Sequence, residues 1–175
     1  MANPWSNLRV RPMTVHDAQR VAAWRYSGDW SVYDLRSAQP LIDDLAGYRA
    51  VVAGETLIGF CCIGEAARVP DMTEEPATID VGMGMDPALV GAGYGAAFGE
   101  TVLSYLSQSY PGRALRAVVQ SWNVRSLRLT RRLGFEDAGE LIAVQGGRPV
   151  AYRIVVKRTL TPTEQPGHPE AFGQF

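Results

Sequence analysis

Cysteine is nearly absent. Of 175 residues two are cysteines, Cys61 and Cys62, side by side in an apolar run. Adjacent cysteines bridge each other poorly, and two thiols are too few for a disulfide framework or a zinc site. We therefore expect buried, inert thiols and no metal. An excess of either charge is also lacking. The 17 Lys and Arg residues meet 18 Asp and Glu residues, giving a formal net charge of −1, so no basic field draws the chain to nucleic acid or an anionic membrane. Charged residues are 20% of the total, too few for a disordered polyelectrolyte. No apolar run approaches the ~18–20 residues that span a bilayer. Met1 to Asn7 has neither the basic nor the apolar part of a secretion leader, and we expect a cytoplasmic protein. No internal repeat is found. No Lys or Arg lies between positions 69 and 112, which excludes a P-loop there, since that loop needs its lysine.

What remains is a chain of 46% hydrophobic residues, enough to fill the core of one domain. Leu8 to Met13 alternates as a half-buried strand does, and Thr14 reads as the cap of a helix running to about Trp24. Residues 27–47 give weaker signals, with one short helix after Pro40. Tyr48–Ala53 and Thr56–Gly64 are two β-rich runs around Gly54 and Glu55, a hairpin signal. Residues 65–76 read as an exposed loop, and Thr78–Met85 as a further strand. A glycine-rich loop then leads into a helix from about Ala96 to Ser107, where Gly99 suggests close packing. Ala114–Gln120 is a strand, and Asn123 caps a helix through Leu133 with Gly134 at its end. Glu140–Gln145 and Pro149–Lys157 flank Gly146 and Gly147 in a closing hairpin. From Thr159 the Pro- and Gly-rich tail reads as flexible. The order implies an α/β domain with a mixed sheet and helices on both faces, spanning residues 1–158, with the tail over 159–175.

Gly91-Ala92-Gly93-Tyr94-Gly95 stands between a strand and a helix. Backbone amides converging at a helix N-terminus, with its dipole, suit a phosphate or pyrophosphate. A tight connection with no ligand is the plain alternative. A dinucleotide fingerprint could be set on Gly91, Gly93 and Ala96. It would want an acid about 20 residues on, where the next strand ends in Gln120 and Ser121.

More of the chain fits a third pattern. Asp80-x-Gly82, then Pro87, then Gly91-x-Gly93-Tyr94-Gly95 are followed one strand later by Asn123-x-x-Ser126 and by Leu133-Gly134-Phe135. With the opening Leu8–Thr14 and Asp17-Ala18, these resemble the GNAT superfamily of acyl-CoA-dependent N-acyltransferases. The likeness is nearest to the branch that acetylates the N-termini of ribosomal proteins and runs from about Leu8 to Arg158. It implies a single, mostly antiparallel mixed sheet whose central strands splay, and an acetyl group moved from acetyl-CoA to a primary amine or peptide N-terminus. It also implies that Met83 and Met85 present backbone groups to the pantetheine arm, and that Gly91, Ala92, Gly93, Tyr94 and Gly95 take the pyrophosphate. Asn123 and Ser126 would border the cofactor. Asp80 would be the general base, which matters because an amine of pKa near 10 is only about one part in a thousand neutral at pH 7.

There are departures from the family pattern. Val90 stands where Arg or Gln is usual, and Ala92 replaces a residue that is often basic; each charge-assisted hydrogen bond forgone in this way is worth about 1–3 kcal/mol. Thr130 occupies the place of the tyrosine that protonates the departing thiolate, and Thr130 could at most donate a hydrogen bond. Arg125, Arg128, Arg131 and Arg132 would either meet the cofactor phosphates or form a solvated helix face. On the acceptor side, Trp24, Trp30, Tyr33, Asp29 and Asp34 are either a cation-binding wall or the edge of a core. His16 and His168 have no nucleophile partner. A homodimer follows by analogy. Two rival functions stay open: a non-catalytic acyl-CoA-binding or sensing module, and a dinucleotide-dependent oxidoreductase.

Overall fold

The structure is a computed structural model that describes residues 4–159. The expected tail from 160 onward, with His168, lies outside the described residues.

The chain opens with a short 3-10 turn and strand β1 (Leu8–Pro12), which hands over to helix α1 (Val15–Ala22). Thr14 closes a capping box with Asp17: the Asp17 amide donates to the Thr14 hydroxyl and the Thr14 amide to the Asp17 carboxylate. This helix stops two residues short of the expected Trp24. Its last turn tightens, with the Ala23 amide reaching the Arg20 carbonyl and the Trp24 amide the Val21 carbonyl. A 3-10 turn over Gly28–Tyr33 and helix α2 (Gln39–Asp43) fill the uncertain stretch. Strands β2 (Tyr48–Ala53), β3 (Thr56–Ile63) and β4 (Thr78–Met85) follow, then helix α3 (Gly95–Ser109) and strand β5 (Ala114–Gln120). Helix α4 (Val124–Arg132) and a hairpin of β6 (Glu136–Gln145) and β7 (Arg148–Lys157) complete the domain. Gly146 and Gly147 turn that hairpin at φ of 55° and 77°, the left-handed pair that a two-residue turn needs.

Strand β6 starts four residues before the expected Glu140. Its register runs from Glu136 opposite Val156 to Gln145 opposite Arg148, with an irregularity between Asp137 and Gly139. As the terminal strand of the sheet it has a solvated side, so its first residues are polar and read as loop.

All seven strands form one sheet in the order β1-β2-β3-β4-β5-β7-β6, antiparallel except where β4 meets β5. Alternation along each strand serves two cores. On β2, Val51 joins a cluster beneath α3 that includes Val81, Phe98, Val102, Leu106, Leu133 and Phe135. Its neighbours Ala50 and Val52 join Met13, Ala18, Val21, Leu41 and Leu57 beneath α1 and α2. Helices therefore cover both faces, as expected. Gly99 is where α3 meets the end of α4: a Cβ there would lie 2.4 Å from Leu133 Cδ1. The two cysteines are buried, and burial, first among the causes, pushes both thiols up to about 12. Among the described residues no group of His, Cys, Asp and Glu is placed to hold a metal ion, and no helix is long and apolar enough to cross a membrane.

Candidate active site

The two parallel strands at the centre of the sheet pair only briefly. Thr78, Ile79 and Asp80 oppose Ala114, Leu115 and Arg116, and there the ladder stops. Beyond it β4 continues to Met85 and β5 to Gln120, leaving a gap between their facing edges. Which backbone groups face that gap follows from the partner on the other side. The Asp86 amide donates to the Ile58 carbonyl across the β3 ladder, so by alternation Gly84 and Gly82 also face β3. Met83 and Met85 therefore turn their backbone groups into the gap, while their side chains pack into the core beneath α3.

The gap ends beside the glycine loop. The Asp86 side chain accepts from the Ala88 amide and starts a short 3-10 turn over Pro87–Leu89. Gly91 and Gly93 then take φ of 87° and 88°, where no atom would lie within 4 Å of an added Cβ. Gly91, Ala92 and Gly93 are exposed. The Ala92 amide makes a long 3.4 Å contact to the Leu89 carbonyl. The first intrahelical bond of α3 is donated by the Phe98 amide to the Tyr94 carbonyl, and α3 has no side-chain cap. The amides of Gly95, Ala96 and Ala97 thus begin the helix without an acceptor along it. The Tyr94 ring stacks on Trp5 at 3.9 Å and 14°, which fixes the loop's last residue.

Asp80 sits at the closed end of the gap, 3% exposed. Its Oδ1 accepts from Arg116 Nε at 2.6 Å; its Oδ2 accepts from Arg116 Nη2 at 3.2 Å and from Arg68 Nη1 at 3.1 Å. Arg116 also donates to the Glu75 carboxylate at 2.9 Å and the Thr73 carbonyl at 2.7 Å. Its hydrogen bond to Asp80, first among the causes, raises the guanidinium pKa further. The carboxylate expected to act as a base is thus held between two guanidinium groups. Both oxygens are spent on guanidinium groups, and the cluster pins the loop after β3 to the sheet. It also explains why residues 66–69 are half-buried although we expected an exposed loop; Pro70 onward is mostly exposed. Thr130 is likewise engaged, its hydroxyl donating to the Leu127 carbonyl at 3.0 Å.

Asn123 does more than cap α4. Its Oδ1 accepts from the Ser126 amide at 3.1 Å, and its Nδ2 donates to the Tyr33 hydroxyl at 3.0 Å. Tyr33 belongs to an aromatic strap across the open end of the gap. Tyr26 donates to the Met85 carbonyl at 2.8 Å, lies 6.4 Å from the Tyr33 ring, and Tyr33 in turn lies 6.2 Å from Trp122. Burial pushes the Tyr26 phenol up to about 12, with the charges of Asp86 and Asp34 adding to it. Trp30 packs edge-on against Trp122 and carries the Arg125 guanidinium 4.5 Å above its ring. Asp29, Ser31, Val32 and Trp122 line an open groove of about 370 Å³ beside the strap.

The expected acceptor-side residues therefore divide. Trp30, Tyr33 and Asp29 gather at this mouth; Trp24 packs on Phe60 at 6.2 Å, and Asp34 accepts the Tyr26 amide. Arg125, Arg128, Arg131 and Arg132 are exposed along α4. Sequence reasoning missed Arg68, Arg116, Tyr26 and Trp122. A charged Arg116 inside an otherwise apolar strand was the available signal, because such a residue needs an acid. Nothing local marks Tyr26.

A model of the acetyltransferase (GNAT) domain matches residues 7–136. No curated protein sequence matches the chain. Among solved structures, a GNAT-family acetyltransferase from Bacillus anthracis superposes with a TM-score of 0.69 at 14% identity, covering 87% of this chain and 95% of that one. A putative ribosomal-protein-serine acetyltransferase from Vibrio cholerae gives 0.66 at 17% identity, over 87% and 94%. A putative acetyltransferase from Salmonella typhimurium, solved with acetyl-CoA, gives 0.56 at 18% identity, over 91% and 98%. At such identities these likenesses show the shared fold.

Proposed function

Because the chain belongs to the GNAT acetyltransferase domain family, we propose that it moves an acetyl group from acetyl-CoA to a primary amine by direct attack. The observation that carries this reading is the gap between β4 and β5, edged by outward backbone groups of Met83 and Met85 and ending beside the exposed glycine loop. A pantetheine arm has the amide groups to complete such an edge as an added strand. The amides of the loop from Gly91 to Gly95 and the start of α3 suit its pyrophosphate, and Asn123 and Ser126 border the same space. Val90 and Ala92 leave the phosphates to backbone amides and the helix dipole.

In this reading the neutral amine attacks the thioester carbonyl, the C–N bond forms, and the C–S bond breaks with its electron pair going to sulfur. The proton lost by nitrogen passes to water. The amide of Met85 faces the developing oxyanion. Asp80 holds β5 and the following loop in place and so positions the gap. The likeness to ribosomal-protein acetyltransferases favours a peptide N-terminus as acceptor. The free Cys61 and Cys62 suit a reducing cytoplasm, and the exposed Ile142 and Val144 on edge strand β6 suit a homodimer.

The test is a calorimetric titration with CoA, acetyl-CoA and NAD. Micromolar CoA binding without an NAD response supports the reading; no CoA binding at millimolar concentration overturns it. One observation favours a second reading, a non-catalytic acyl-CoA-binding module: the Asp80 carboxylate and the Thr130 hydroxyl are both already engaged. That reading requires CoA binding with no transfer to any amine, even at high pH where the amine is neutral.

A further inference from the structure

A leaving thiolate gains from a donor, and Thr130, which stands at the place the resemblance gives that group, does not supply one. The Thr130 proton goes to the Leu127 carbonyl, and the thiols of Cys61 and Cys62 are buried. The mouth of the gap offers another. Tyr33 lies between the two strands that part. On one side Tyr26 ties it to the end of β4 through the Met85 carbonyl. On the other, Trp122 and Asn123 tie it to the segment leaving β5.

The direction of the Asn123 bond is fixed by chemistry. Asn123 Oδ1 accepts from the Ser126 amide, and the residue is 4% exposed, so its Nδ2 must be the donor to Tyr33. The phenol oxygen is thus an acceptor there, and its own proton is left over. Among the described residues no hydrogen-bond acceptor meets that proton. Tyr33 as a residue is 38% exposed. Tyr26, by contrast, spends its proton on Met85. Burial, outweighing the Asn123 bond, raises the Tyr33 pKa above its ordinary value, which keeps the phenol protonated at neutral pH.

From this geometry we infer that the Tyr33 hydroxyl donates a hydrogen bond to the sulfur departing from the acyl donor, replacing the group that Thr130 cannot provide. When the C–S bond breaks and its electron pair settles on sulfur, the phenol meets the growing charge. Asn123 meanwhile steadies the phenol oxygen by donating to it. The thiolate takes its final proton from solvent on release, and no net proton is drawn from the protein. The inference rests on the acetyl-transfer reading above.

The experiment uses the full chain with acetyl-CoA and hydroxylamine, an amine already neutral at pH 7, and follows thiol release. Tyr33→Phe is expected to lower kcat about 10–100-fold, the worth of one hydrogen bond to a charged group, with KM for acetyl-CoA and CoA affinity little changed. A second variant carries 3-fluorotyrosine at position 33, which preserves the ring and its packing. Its 19F resonance is expected to shift on addition of CoA and much less with desulfo-CoA. If the wild-type protein releases thiol and Tyr33→Phe matches it, or if the resonance ignores the sulfur, this inference is wrong while acetyl transfer stands. Should the wild-type protein bind CoA yet release no thiol above background with hydroxylamine, with primary amines or with peptide N-termini, even at high pH, the acetyl-transfer reading falls and takes this one with it. Where Tyr33→Phe does not fold, the fluorine measurement decides alone.

Discussion

Asp80→Asn separates two roles for one carboxylate. The change is isosteric and removes a single charge. In the folded chain the Asp80 side chain is 4% exposed, and those of Arg116 and Arg68 are 12% and 17% exposed. An amide whose oxygen takes the Oδ2 place still accepts from Arg116 Nη2 and Arg68 Nη1, but its NH2 then meets Arg116 Nε, donor against donor. Removing one partner of a buried ion pair costs about 3–5 kcal/mol. Arg116 keeps the Glu75 carboxylate and the Thr73 carbonyl, which sets the loss at the low end, about 3 kcal/mol. At about 2–4 °C per kcal/mol for a chain of this size, the melting midpoint drops by roughly 6–12 °C. Thermal melts followed by circular dichroism measure that drop. Kinetics well below the midpoint then ask what the folded variant does: kcat should hold while KM for acetyl-CoA rises, because the closed end of the gap loosens. Loss of a true base would cost about 10²–10⁴-fold in rate. An unchanged midpoint combined with a loss of that size would refute the structural role.

Three further outcomes can be checked directly. The Asp17 carboxyl is held at about 2: burial raises it, but the hydrogen bonds from Arg11 and Thr14 outweigh that. Its contribution to stability is therefore complete above about pH 4 and disappears as the pH falls through 2. Allowing for solvent around the one-third-exposed Arg11, Asp17→Ala should cost about 1–2 kcal/mol at pH 7, with little penalty left at pH 2 in acid melts. Cys61 and Cys62, pushed up to about 12 by burial, should ignore a thiol reagent at pH 8 in the native protein and react fully once denaturant is added. Gly93→Ala puts a Cβ on backbone at φ 88°. Relief of about 1 kcal/mol of strain by turning the exposed loop amides aside should weaken acetyl-CoA binding roughly fivefold by calorimetry, leaving the melting midpoint nearly unmoved.

Much of the fold was legible because local chemistry and tertiary structure agree. Strands β2, β4 and β5 take the limits that their apolar patterns indicate. Thr14 and Asn123 cap the helices that their positions suggest. The close contact expected at Gly99 is with Leu133, one helix away. What escaped was set by partners distant in sequence. Asp80 looks like an available carboxylate until parallel register places Arg116 opposite it, 36 residues on. Asn123 reads as a cap, and its second bond depends on Tyr33, 90 residues away. The start of β6 is polar because it is an edge strand, and edge strands lose the alternation that would reveal them.

The short ladder at the centre of the sheet also has a mechanical meaning. Four strands on one side and three on the other are joined, within the sheet, by a contact that ends at Asp80 and Arg116. The domain is in effect two blades on a common hinge, with the ionic cluster as its pin and the Tyr26–Tyr33 contact as a latch at the opposite end. Anything that pairs with the open edges supplies missing rungs and couples the blades. Amide hydrogen exchange should then slow on both sides of the gap together when acetyl-CoA is added. The melting midpoint should climb with the logarithm of its concentration, because the blades are braced only while the gap is filled.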